Sequence, residues 1–150
     1  MLKHGYTTVG EFHYLHRDRK GERYANPAIL PERVIAAARR AGIALTLLPV
    51  LYAFGGFGGR PLKGGQRRFA SDAASIAELV GTLRDRYPEI RLGVAPHSVR
   101  AVDAMQLTDI VAAAHETGRG QCETARRSSL EEAPPGASPS GRPSPVVVHA

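Results

Sequence analysis

The 150-residue sequence contains a single cysteine, Cys122. That excludes an internal disulfide, and a reducing cytoplasm is the expected setting. Long apolar segments are missing as well. The longest, Ile43 to Phe54, is interrupted by Thr46 and Pro49, and falls short of the roughly 20 residues that a membrane-spanning helix needs. The opening MLKHGYTTVG has no apolar stretch behind Lys3, so it does not read as a signal peptide, and no membrane partner is expected. Zinc-finger spacing, a recognition-helix pattern and a basic-aromatic ladder are all lacking, which argues against nucleic acid as a partner. Ser98 has no G-x-S-x-G context for a nucleophile. The glycine-rich GGFGGRPLKGGQRR resembles a phosphate loop in composition only. Lys63 is followed by Gly64 where such a loop needs Ser or Thr, and Pro61 breaks the dinucleotide glycine spacing.

What is present is the balance of a soluble globular domain, 43% hydrophobic and 23% charged. The length suits one domain with a real core rather than two. The net charge of +6 arises entirely in residues 1–114, which hold 16 Lys and Arg against 10 Asp and Glu; residues 115–150 hold four of each. Such an excess is compatible with nucleic acid, which the missing motifs argue against, with a small acidic substrate, or with nothing specific.

Apolar periodicity supplies the fold. GYTTVGEF, residues 5–12, is β-branched and aromatic and predicts a strand. Asn26-Pro27 offers a cap and a first-turn proline for a helix running to Gly42, with Pro31 delaying its regular part. IALTLLPVLY, residues 43–52, is apolar on both alternating faces, as expected of a strand covered by helices on both sides. After the glycine-rich loop, Ser71 is placed to cap a helix through Tyr87, with Ile76, Leu79, Val80 and Leu83 on one face. Ile90 to Ala95 predicts a third strand, and Asp103 caps a third helix through Ala114. This β-α-β-α-β-α order argues for parallel strands with right-handed crossovers, whose functional groups gather at the strands' C-terminal ends. Residues 115–150 are rich in Pro, Ser, Gly and Arg; they cannot bury enough surface to offset the entropy of ordering, and are expected to form a disordered tail.

Polar groups do cluster after the predicted strands: Glu11, His13, Tyr14 and His16 after the first, Tyr52 after the second, His97 and Arg100 after the third. The pair His13-x-x-His16 invites a metal, but it follows a strand in a loop, with no third ligand nearby in sequence. Surface histidines are the simpler reading. In LGVAPHSVRAV, Pro96 fixes the chain as it leaves the sheet, directing His97 into the space above the strand ends. Arg100 can there offer a planar fork to a carboxylate. A helix-approach turn with a solvated arginine is the alternative, and the residues alone leave the two open.

Taken together and in order, GYTTVGEFHYLH, AGIALTLLPVLY, GFGG, GQRRF and APHSVRAV resemble the formimidoylglutamate deiminases, metal-dependent amidohydrolases of bacterial histidine breakdown. The likeness covers about residues 1–114. It implies an α/β fold, a partial (β/α)8 TIM-type barrel of about three βα units, short of the roughly 250 residues of a closed one. It implies a zinc cofactor in the full-length family, a homodimer, and hydrolysis of N-formimino-L-glutamate to N-formyl-L-glutamate and ammonia. Carried over, Tyr14, His97 and Arg100 become contacts to this small acidic substrate.

The departures matter as much. The family's His-x-His metal pair occurs nowhere in this sequence, and a segment like VHIHxAEQ, with a further metal histidine and a catalytic glutamate, is replaced by the low-complexity tail. Phe54 and Arg17 stand where the family tends to have histidine. The expectation is a central fragment that binds no zinc, has no catalytic or metal residues of its own and is inactive alone. Its tail, 115–150, has the composition of coding sequence read out of frame, as in a truncated gene product. A stand-alone α/β module binding small carboxylates is the second reading. An aminohydrolase acting on a ring base is a weaker third, because an arginine suits a carboxylate better than a neutral base.

Overall fold

The structure, a computed structural model, describes residues 1–116, with side chains to Ala114. The expected tail lies outside the described residues, save that the third helix carries the backbone on to Glu116. Four short parallel strands form the sheet: β1 (Thr8–His13), β2 (Ala44–Leu51), β3 (Arg91–Leu92) and β4 (Ala95–Pro96). β1 pairs with β2 from Thr8↔Ala44 to His13↔Pro49; β3 and β4 pair in turn with the other side of β2. The predicted third strand is thus two pieces. Gly93 lies between them and stays tied to β2 through its N–H to the Leu47 carbonyl, 3.1 Å. Helices α1 (Ile29–Ala41), α2 (Ala73–Arg86) and α3 (Ala104–Glu116) follow the strands in alternation, as the periodicity predicts.

Alternation along β2 sends Leu45 and Leu47 into a cluster with Ile35, Ala38, Leu79 and Leu83 of α1 and α2. Leu51 joins Ile76, Val80, Val94 and Ile110 beneath α2 and α3. The opposite face holds Leu48, Val50 and Ala95, with Phe12 and Tyr14 packed beside them. β2 is apolar on both faces, but not because helices cover both: among the described residues α1, α2 and α3 pack against the Leu45–Leu47–Leu51 face, while Leu48 and Val50 are buried with residues of the neighbouring strands and Tyr14. Leu47 and Leu83 are fully buried, and truncation of either to Ala leaves a cavity costing roughly 2–5 kcal/mol.

Two helix starts differ from expectation. Asn26 does take the Ala28 N–H on Oδ1 (3.1 Å), but its carbonyl also takes the Ile29 N–H, closing a turn ahead of the helix. α1 then begins at Ile29 with Ala28 as its N-cap. Pro31 is accommodated in the first turn, where its missing N–H has no intrahelical partner to lose. The second helix is capped by Asp72 rather than Ser71. Asp72 Oδ1 takes the Ser75 N–H at 2.8 Å, while Ser75 Oγ takes the Asp72 N–H at 3.1 Å. Ser71 is occupied elsewhere: its hydroxyl donates to the Val50 carbonyl (3.2 Å) and accepts the Tyr52 N–H (2.9 Å). Asp72→Ala should cost about 1 kcal/mol, read as a lower urea midpoint; an unchanged midpoint would show that the cap carries no net stability.

At the other end of α1, Gly42 adopts φ 74° and its N–H reaches the Ala38 and Arg39 carbonyls. This left-handed C-cap stands where the sequence placed it. The connection after β2 is less irregular than its composition suggests. A 3-10 turn occupies Gly64–Phe69, and Gly55 donates to the Arg60 carbonyl at 2.7 Å, closing the tip. A Cβ on Gly55 would fall 2.7 Å from the Pro61 carbonyl oxygen, so the approach requires glycine. No helix among the described residues is long and apolar enough to cross a membrane.

Candidate functional site

The C-terminal ends of β1, β2 and β4 converge, and their next residues meet. Tyr14 follows β1, Tyr52 follows β2, and His97 follows β4. The His97 N–H bonds the Leu51 carbonyl at 3.1 Å, so its position extends the ladder by one residue. The Tyr14 hydroxyl lies 3.0 Å from His97 Nδ1. Tyr52 stacks on the His97 ring, centroids 4.7 Å apart and planes 24° from parallel. Phe69, from the 3-10 turn, meets Tyr14 and Tyr52 edge-on, each at 5.6 Å. Gln66 Nε2 donates to the Tyr52 hydroxyl at 3.3 Å, and its Oε1 accepts the Lys63 N–H. An aromatic collar built from three separate motifs surrounds one imidazole.

Two of the three sequence candidates are brought into contact, Tyr14 and His97. Arg100 sits in the turn that follows, which the Ala101 and Val102 N–H groups close onto the Ser98 carbonyl. Its side chain is exposed and makes no ion pair among the described residues. It is nevertheless close enough to act electrostatically. Burial, with the Arg100 charge as a second cause, holds the His97 pKa below the ordinary imidazole value. Burial likewise raises the Tyr14 phenol, with Tyr52 adding to the shift. Tyr14 and His97 thus meet as neutral groups, beside an unpaired cation. That arrangement suits an incoming carboxylate: the arginine supplies charge, and the neutral Tyr14–His97 pair, with one proton used in its own hydrogen bond, supplies one oriented donor.

The other histidines are committed to the scaffold. His13 Nε2 donates to the Leu15 carbonyl at 3.0 Å and His16 Nε2 to the Val50 carbonyl at 2.9 Å. Their rings meet edge-on at 5.6 Å. Burial pushes His13 down to about 4, the neighbouring His16 adding to it, and burial also lowers His16. Arg17 ties the loop after β1 to its surroundings, through Nε to the Ala70 carbonyl and an η nitrogen to the Gly21 carbonyl. Among the described residues no group of three or more His, Cys, Asp or Glu stands together. With both Nε2 atoms of the histidine pair on carbonyls, the described residues do not fit a zinc centre.

Glu11, grouped with these residues from the sequence, lies within β1, and burial raises its carboxyl pKa. Tyr52, Gln66 and Phe69 are the members of the collar that chemistry-bearing residue types alone do not single out. The signal for Tyr52 is its place at the end of the second strand; Gln66 and Phe69 stand in the GQRRF motif of the resemblance, but their residue types give no role, which depends on how a long loop folds back. A separate cavity of about 280 Å³ lies between the loop after β1 and α2, lined among others by Arg17, Asn26, Ser75 and Arg86. None of Tyr14, His97 or Arg100 borders it.

No family model matches the chain. Over 118 residues, 77% of its length, the chain is 49% identical to formimidoylglutamate deiminase of Pseudomonas aeruginosa, and it spans about a quarter (26%) of that protein. Among solved structures, the chain is similar to an amidohydrolase from Brucella melitensis, with 47% identity and a TM-score of 0.70. There it covers 77% of this chain and 27% of the other. The chain thus aligns with about a quarter of each of these longer proteins, and the resemblance carried by its motifs holds across most of its own length.

Proposed function

We propose that this chain supplies the substrate-recognition part of a formimidoylglutamate deiminase, with Tyr14, His97 and Arg100 receiving a carboxylate of N-formimino-L-glutamate. The supporting observation is the hydrogen bond that joins Tyr14 to His97 across β1 and β4, with the Arg100 charge acting on the same ring. Parallel strands whose C-terminal ends carry the site are what a portion of a (β/α)8 barrel provides, and we read the β-α order as about three of its units. Zinc, bound elsewhere in a full-length deiminase, would polarise the attacking water during release of ammonia in histidine degradation. The residues described here take no part in that step. Their share is to bind and orient: a bidentate arginine holds the carboxylate, together with the one donor that the hydrogen-bonded Tyr14–His97 pair keeps free for a ligand.

The chain alone is then a binder without turnover. Purified protein with one equivalent of zinc should release no ammonia from N-formimino-L-glutamate above the uncatalysed background. Isothermal titration should show 1:1 binding of the product analogue N-formyl-L-glutamate. Zinc-dependent ammonia release would overturn the inactive assignment; no binding of the analogue would overturn the recognition role. The second reading, a stand-alone small-carboxylate module, shares the binding result. Tight binding of many unrelated dicarboxylates, with no preference for the glutamate skeleton, would favour it.

A further inference from the structure

Tyr52 is not among the substrate contacts proposed above, yet it makes the closest ring contact with His97. Its ring covers one imidazole face at 4.7 Å and 24°. Tyr14 approaches the same imidazole edge-on, centroids 5.6 Å apart and planes at 79°, and places its hydroxyl on Nδ1. Tyr52 itself has little freedom. Its N–H is held by Ser71 Oγ and its carbonyl takes the Ser71 N–H at 3.1 Å. Its hydroxyl is held by Gln66, and its ring edge meets Phe69. A face, an edge and one nitrogen of His97 are therefore all constrained, and the other nitrogen, Nε2, is the one left to meet a ligand.

We infer that Tyr52 is a positioning residue: by stacking on His97 it locks the imidazole so that Tyr14 O–H donates to Nδ1 and Nε2–H is presented to the substrate carboxylate. This role rests on the recognition function proposed above but can be measured without it. A freely rotating imidazole would divide its time between ring flips and both tautomers, and would donate to a ligand only part of the time. Stacking removes the rotation, and with Tyr14 O–H as the donor to Nδ1 the ring proton sits on Nε2. Offset stacking of two rings has the geometry expected of a stabilising aromatic pair. The groups facing His97 are Tyr14, Tyr52 and Arg100, of which Arg100 is the one charge. Gln66 acts one step further out, holding the tyrosine that holds the histidine.

The test is nitrogen-15 NMR of the His97 ring in the full chain. The wild-type protein should show, at neutral pH, one tautomer with a pyridine-type Nδ1 and a protonated Nε2. The His97 ring protons should be shifted upfield by the face of Tyr52. Tyr52→Leu, folded by the criterion of its amide spectrum, should show averaged tautomers and a His97 pKa returned toward the ordinary imidazole value. Binding of N-formyl-L-glutamate should weaken about fivefold to tenfold, the loss of one well-held hydrogen bond. Tyr52→Phe keeps the stack and should keep the single tautomer. An unchanged His97 signature in folded Tyr52→Leu overturns the role. If Tyr52→Leu does not fold, the wild-type spectrum decides instead: mixed tautomers, or ring protons at unstructured positions, overturn it. Failure of the wild-type chain to bind the analogue would count against the recognition function alone, since the ring signature is read without ligand.

Discussion

Stability to urea should fall by about 3 kcal/mol between pH 7 and pH 4, mainly through His13. His13 is buried, 4% exposed, and burial holds its pKa at about 4, against about 6.5 in an unfolded chain. Between those values the unfolded state binds a proton that the folded state refuses, so stability rises with pH in the window and is lost as pH falls through it. His16 and His97, also lowered by burial, act in the same direction. Glu11 acts oppositely, because burial raises its carboxyl and protonation relieves the folded state. Asp18 and Asp72 enter only below about 3.8, where their carboxylates are protonated in the unfolded chain. Backbone donors led by Glu22 lower Asp18; at Asp72, burial opposes but the Ser75 bonds prevail. His13→Gln keeps a donor for the Leu15 carbonyl without the titration. Its urea midpoint should be much flatter from pH 6.5 to 4, and a slope equal to wild type would place the acid sensitivity elsewhere.

His13 also shows where the sequence could and could not be read. Its place at the end of a strand was legible, since GYTTVGEF has strand residues and the next polar group must lie at the sheet's C-terminal end. Its character was not. A histidine in a loop motif reads as surface, whereas here one side of the strand turns it inward and the chain two residues on supplies a carbonyl for Nε2. Helices were legible from apolar spacing, and Ile76, Leu79, Val80 and Leu83 are buried together as that spacing requires. Caps were less so. Ser71 and Asp72 are both good N-cap residues, and tertiary contacts separate them: the Ser71 hydroxyl is engaged at the end of β2, accepting the Tyr52 N–H and donating to the Val50 carbonyl. Ile90 to Ala95 reads as one strand from Ile90, Leu92 and Val94, but its pairing with β2 is in two short pieces on either side of Gly93. The Tyr14–His97 contact spans 83 residues, and no local pattern announces such a contact. What brought both residues into one reading was the resemblance, with the parallel order explaining why they meet.

Arg100→Ala should weaken N-formyl-L-glutamate binding by roughly 10- to 100-fold, corresponding to about 1.5–3 kcal/mol for a charge-assisted hydrogen bond to a carboxylate. The expectation rests on position. Arg39 and Arg86 are engaged by Glu89 and Glu32. Arg100 has no ion pair among the described residues and its charge acts on the His97 ring. Being exposed, it contributes little to folding, so the substitution should leave the urea midpoint within about 0.5 kcal/mol of wild type. That separation makes the result interpretable: lost binding with retained stability assigns the effect to the ligand. Arg100→Lys refines it. A lysine keeps the charge but cannot form the two-pronged contact, so recovery of only part of the affinity supports a bidentate carboxylate, and full recovery reduces the role to charge alone. Binding that rises with pH from 5 to 7 would further oppose the assignment. Deprotonating His97 can only remove positive charge from the site. Arg100→Ala binding as tightly as wild type would remove Arg100 from the site.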